Sequence, residues 1–146
     1  MEKVSFRNKV IEIAAKQYQT KPERLWAKYP EYVVLRHSNN KKWYAVLMNI
    51  PKNKLGLEGG EYIDILDVKA DPVMAGSFLS EEGIFPGYHM HKGNWITVLL
   101  DGTVSMDKIE LLLDISYDLT NGKKYKKSVL RNTEWIVPAN PKFYDI

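Results

Sequence analysis

The chain has no cysteine. Thiolate nucleophiles, thiolate metal sites and a disulfide framework are therefore closed to it. A chain without cysteine suits a reducing compartment, where stapling is not needed. Long apolar runs are also missing, and no stretch approaches the ~18 residues that span a bilayer. The opening residues, Met1-Glu2-Lys3-Val4-Ser5-Phe6-Arg7, lack the apolar core of a secretory signal. Together these absences predict a cytoplasmic protein that does not enter a membrane. Arginine is scarce, with four (Arg7, Arg24, Arg36, Arg131) among twenty-one basic residues. Bidentate guanine readout would have few donors to draw on. The glycines of Gly56-Leu57-Glu58-Gly59-Gly60 are not followed by the Lys-Ser or Lys-Thr of a phosphate loop. No recognised nucleophile motif surrounds the serines. No catalytic residue, cofactor or metal is expected, and the chain is read as something other than an enzyme.

What is there suits one packed domain. A chain of 146 residues can bury ~68–70% of its unfolded surface. Aromatic residues make up 12% of it, with four Trp and nine Tyr, too many for a disordered chain. The net charge is +3, but its distribution is uneven. Residues 1–60 carry +7, residues 61–120 carry −8 and residues 121–146 carry +4. If the basic segments meet in space, they make a face suited to a polyanion.

The hydrophobic pattern predicts a helix over 3–19, with Phe6, Val10, Ile13, Ala14 and Gln17 at helical spacing. Lys21-Pro22-Glu23 opens a short helical turn that carries Leu25 and Trp26 and ends near Tyr29-Pro30. Residues 32–37 and 42–48 form a β-hairpin around Ser38-Asn39-Asn40-Lys41, where Asn tolerates positive φ. Pro51 ends the second strand. Residues 61–68 are a third strand with one wet face. Asp71 caps a helix that starts at Pro72 and runs to about Glu81. Ile84-Phe85-Pro86-Gly87 is a turn. Residues 94–100 form a strand, and Asp101-Gly102 turns. Ser105 caps a helix to about Thr120 with Ile109, Leu112, Leu113, Ser116 and Leu119 on its inner face. Asn121-Gly122 ends it. Clustered strands with helices at both ends predict an α+β two-layer sandwich.

These segments resemble a known family. Pro86-Gly87-Tyr88-His89-Met90, Asn94-Trp95-Ile96-Thr97-Val98 and Leu100-Asp101-Gly102 are similar to the central signature of the MmcQ/YjbR family. The helix with Ser116-Tyr117 is similar to that family's C-terminal helix. Lys42-Trp43-Tyr44-Ala45 resembles one of its strands, with Lys41 where Gly is usual. Val68-Lys69-Ala70-Asp71-Pro72 resembles another of its junctions, with Ala70 where Cys is usual. The resemblance covers roughly residues 3–120. It implies a CyaY-like α/β sandwich with an antiparallel sheet backed by helices. It also implies DNA binding, with the β-hairpins acting as a double wing. Residues 1–122 would be the family domain. Residues 123–146 would be a basic and aromatic extension, packed on the same domain or joining two copies as a homodimer.

Three chemistries are open to these residues. For DNA, the candidates are Arg36, Lys41, Lys42, Trp43, Lys52 and Lys54, then Lys123, Lys124, Lys126, Lys127 and Arg131. Lysines interleaved with aromatics hold phosphates and stack bases without reading sequence. For a protein or small-ligand partner, Pro86, Gly87, Tyr88, His89, Lys92, Asn94 and Trp95 would line a groove, centred on Tyr88 and Trp95. For metal, His89 and His91 would share a face if they lay in a strand. The simpler role for His89 is to fix the turn beside Trp95. Asp64 and Asp67 are assigned to the wet face of their strand, and Asp71 to its helix cap.

Overall fold

In the computed structural model, residues 5–90 and 94–121 are described. The chain order is α1 (Phe6–Gln17), β1 (Val33–Arg36), β2 (Trp43–Pro51), β3 (Tyr62–Lys69), α2 (Pro72–Phe78), β4 (Ile84–Pro86), β5 (Trp95–Leu99) and α3 (Met106–Asn121). The strands form one antiparallel sheet in the order β1-β2-β3-β5-β4. This is the expected α+β sandwich. A 3-10 turn, Lys52–Leu55, follows β2 at Pro51.

The sheet separates two apolar clusters, because successive side chains on a strand point to opposite faces. On one face, Leu35, Leu47, Leu66, Val68, Ile96 and Val98 pack against the helices through Val10, Ala14, Ile109, Leu112 and Leu113. On the other face, Val34, Val46, Met48, Ile50, Ile63, Ile65 and Leu99 pack under Trp26, Tyr32, Trp43, Leu55, Leu57, Tyr88 and Met90. Among the described residues, loops and aromatic rings cover this second face in place of helices.

The inner stripe of α3 is as the spacing predicts: Ile109, Leu112, Leu113, Ser116 and Leu119 are all buried. Ser105 caps it through the Lys108 amide, at 3.2 Å. Ser116 has a physical role here. The Ser116 hydroxyl donates to the Tyr44 carbonyl (2.6 Å) and accepts from the Lys69 amide (2.9 Å), pinning α3 to β2 and β3. Asp71 accepts from the Met74 amide at 2.8 Å, so its capping role holds. The helix it caps ends at Phe78, short of Glu81.

Several expectations are corrected. The turn expected over 21–30 is confined to its far end, where the Tyr29 amide donates to the Trp26 carbonyl at 3.0 Å, and residues 21–26 form no helical turn. Instead Glu23 and Val34 exchange backbone hydrogen bonds of 3.1 and 2.9 Å, extending the sheet beyond β1. Partners distant in sequence override the local Pro signal. Ile84, Phe85 and Pro86 are a strand, which Pro tolerates because β4 is an edge. The positive φ of the β1–β2 turn falls on Lys41 (φ 62) rather than on an Asn, a conformation that glycine adopts without steric cost. β3 is wet only near its start. Tyr62 is exposed and Asp64 half-buried, but Asp67 is fully buried. The expected extension, 123–146, lies outside the described residues.

Candidate functional site

β4 delivers the chain into the signature turn at residues 87–90. The Gly87 amide donates to the Trp95 carbonyl at 3.0 Å. A Cβ on Gly87 would sit 2.8 Å from the Trp95 Cβ and 2.9 Å from its carbonyl oxygen. The glycine is therefore required by close approach. His89 has φ 61 and belongs to the turn. The strand geometry that would put His89 and His91 on one face is absent at His89, and His91 lies outside the described residues. No cluster of three metal-ligating side chains occurs among the described residues. The His89 ring lies 4.1 Å from the ring of Tyr88.

A buried polar relay holds this turn to the sheet. The Tyr88 amide donates to the Thr97 hydroxyl (2.8 Å), and that hydroxyl donates to Oδ1 of Asp67 (2.5 Å). Burial pushes the Asp67 carboxyl up to about 7, against the opposing pull of the Thr97 hydroxyl and the nearby Tyr88 amide. Asp67 Oδ2 and Lys69 Nζ are buried without hydrogen-bond partners among the described residues. Burial lowers Lys69 to about 8, helped by the charge of Lys42. Its ammonium lies over the Trp95 ring at 5.8 Å.

The relay aims Tyr88 at a groove of about 680 Å³ on the second sheet face. Its aromatic walls are Trp26, Tyr29, Tyr32, Trp43, Tyr62 and Tyr88, with Met48, Met90, His89 and Lys54 among the rest. Tyr29 and Tyr32 stack at 4.7 Å, and Trp26 meets both Tyr32 and Trp43 edge-on. The expected groove around Tyr88 exists, but Trp95 is not part of it. Trp95 is 9% exposed and lies against Lys69. Pro86, Gly87 and Asn94 are also off its lining, and Lys92 lies outside the described residues. The signature supplies Tyr88, His89 and Met90, while most of the wall comes from residues 26–32 and from β2. The density of Trp and Tyr between 26 and 44 is the signal that marks it.

A second hollow, of about 380 Å³, lies at the hairpin end and includes Tyr18, Lys21, Arg36, His37, Lys41 and Tyr117. Beneath it, the His37 ring pairs with the Thr120 hydroxyl at 2.8 Å. Burial lowers the His37 pKa. The Asn40 amide group donates to the carbonyls of Thr120 (2.9 Å) and Asn121 (3.0 Å). The last turn of α3 is thereby fixed to the turn that carries Lys41.

The expected DNA contacts divide accordingly. Arg36 is taken by both oxygens of Glu23, each at 2.8 Å. Lys52 pairs with Glu61 at 3.7 Å. Trp43 and Lys54 belong to the aromatic groove. Lys41 is exposed and Lys42 half-buried at the hairpin end. Lys123, Lys124, Lys126, Lys127 and Arg131 lie outside the described residues.

The comparisons agree with this fold. The YjbR family model matches residues 15–119. The uncharacterized protein YyaQ of Bacillus subtilis is 41% identical, over 78% of this chain and 97% of its own. A crystal structure from Pseudomonas syringae is 46% identical, with a TM-score of 0.76 over 78% of this chain and 97% of that one. The Deinococcus radiodurans protein DR2400, at 22% identity and a TM-score of 0.62, shares the fold over 88% of this chain and 87% of its own.

Proposed function

Because the chain belongs to the YjbR family, we propose that it is a non-enzymatic DNA-binding protein of the cytoplasm, holding phosphates at its β1–β2 hairpin end. The observation that carries this reading is the pair of hydrogen bonds from Asn40 to Thr120 and Asn121. They bring the end of α3 against the turn bearing Lys41 and Lys42. Lys123-Lys124-Tyr125-Lys126-Lys127 follows two residues later in the sequence. Lys21 and Lys41, both exposed, share the hollow beside that turn. Basic segments far apart in the chain thus start from one place. Lysine is a mobile point charge, so the contacts would be sequence-tolerant and sensitive to salt.

The aromatic groove does not favour a duplex. Lys54 is the one lysine among its described lining residues, and a duplex needs several cations along its path. The groove is better suited to a protein segment or a small apolar ligand.

Titration of labelled duplex DNA at several salt concentrations tests the DNA reading. Affinity should fall steeply as salt rises. Replacing Lys41 and Lys42 by Ala should lower the salt slope by ~1 for each phosphate no longer held. Absence of binding at low salt overturns the reading. Unchanged binding by a K123A/K124A/K126A/K127A variant removes the segment after α3 from the contact surface.

A further inference from the structure

The groove has the walls of a site for an extended, proline-bearing polypeptide, and this chain contains such a segment. We propose that the groove takes up the chain's own Pro138-Ala139-Asn140-Pro141, with Trp135, Phe143 and Tyr144 flanking it, folded back within the same molecule. The inference rests on reading the groove as a polypeptide site and is independent of DNA binding.

The segment and the groove are matched in chemistry. A Pro-x-x-P sequence favours the polyproline II conformation, which has three residues per turn and no internal hydrogen bonds. Its pyrrolidine rings pack on aromatic faces, and its free carbonyls accept from indole N–H and phenol O–H groups. Trp26, Trp43, Tyr29, Tyr32, Tyr62 and Tyr88 offer both. Tyr29 is 46% exposed and Tyr62 65% exposed, so large apolar rings await a cover.

The segment is also within reach. The described chain ends at Asn121, which is bonded to Asn40, and the groove residue Trp43 lies three residues beyond Asn40. Residues 122–137 give sixteen residues of connection before Pro138. Fully extended they reach ~50–60 Å, and as a flexible linker they average roughly 20–24 Å. A tether of that kind makes the local concentration of the segment about millimolar. Weak intrinsic affinity is then enough to keep the groove filled.

The relatives' length points the same way. YyaQ and the Pseudomonas syringae protein are matched over 97% of their own chains but over 78% of this one. Nearly all of each relative is used up, so a fifth of this chain is additional to them. Residues 122–146 lie beyond the family match.

The test is proton–nitrogen NMR of the full chain beside a P138A/P141A variant. The substitutions lie beyond the residues that the family model matches, so the fold should be kept. The indole signals of Trp26 and Trp43 should move in the variant, while that of Trp95, off the groove, stays. Contacts between the Trp43 ring and the proline side chains should appear in the parent. A Tyr62→Ala variant should lose those contacts and speed tryptic cleavage after Lys142. Unmoved Trp26 and Trp43 signals with no ring-to-proline contacts overturn the proposal. Contacts that vanish on dilution, with a dimer in sedimentation, overturn docking within one molecule and assign the groove to a second copy. If the parent shows no contacts but added Pro-x-x-P peptide moves the same indoles, the groove is a polypeptide site and its assignment to this segment fails.

Discussion

The amide of Tyr88 and the carboxylate of Asp67 are joined through a single hydroxyl, that of Thr97, by bonds of 2.8 and 2.5 Å. The family signature is therefore fastened to a buried acidic group in the middle of the sheet. Thr97→Val keeps the shape but leaves a donor and an acceptor without partners. Each orphaned buried group costs about 1–3 kcal/mol. Urea unfolding should show a loss of ~2–4 kcal/mol, and the Tyr88 amide should exchange faster with solvent.

Asp67 should also make stability depend on pH. Its folded value, about 7, lies above the ordinary 3.8, so the native state holds the proton more tightly than the unfolded state. The contribution is fully present below about pH 4 and is lost as pH rises through about 7. His37 works with the opposite sign. Its value is lowered by burial, so stability is lost as pH falls below the ordinary value of 6.5. Subtracting an Asp67→Asn variant from the parent cancels His37. The variant should gain on the parent, on the order of a few kcal/mol, between about pH 4 and 8 in thermal unfolding.

Gly87→Ala places a methyl group 2.8 Å from the Trp95 Cβ and 2.9 Å from its backbone oxygen. Backbone atoms cannot turn aside as a flexible side chain can. The expected loss is about 1–3 kcal/mol, with shifted NMR signals at Tyr88, His89 and Met90. A variant as stable as the parent would mean that the turn can move away from β5.

Lys41→Gly should act in two directions. The left-handed backbone at Lys41 (φ 62) costs a side-chain-bearing residue ~1–2 kcal/mol, which glycine avoids. The larger freedom of unfolded glycine returns part of that, so a net gain of about 0.5–1 kcal/mol is expected in urea. DNA affinity at low salt should drop in the same variant.

The sequence announces α3 and its five inward residues because a 3.6-residue period over sixteen residues has no competing explanation. It does not announce β4, since Pro86-Gly87 is a turn signal unless the strand is known to be an edge. Asp67 reads as wet from its place in the strand, yet it shares a face with Ile65 and Ile63 under a cover of loops. Nothing local records that cover. The groove is half legible. Tyr88 stands out through the signature, whereas Trp26, Tyr29 and Tyr32 reach it only because residues 18–32 pass the β1 edge to the second face, and Tyr62 only through the register of β3. Trp95 is near Tyr88 in sequence but is absent from the groove's lining, its ring instead taken up by Lys69, and nothing in the local sequence separates the two roles.

The backbone exchange between Glu23 and Val34 has a consequence for how copies of this protein meet. An open sheet has two edges, and each unpaired edge invites another chain to add a strand. On one side Glu23 already occupies part of the outer rim of β1, and its carboxylate is locked to Arg36. On the other side β4 is three residues long and ends in Pro86, which has no amide hydrogen to give. Among the described residues both rims are blunted, so each offers an added strand only a short stretch of free backbone.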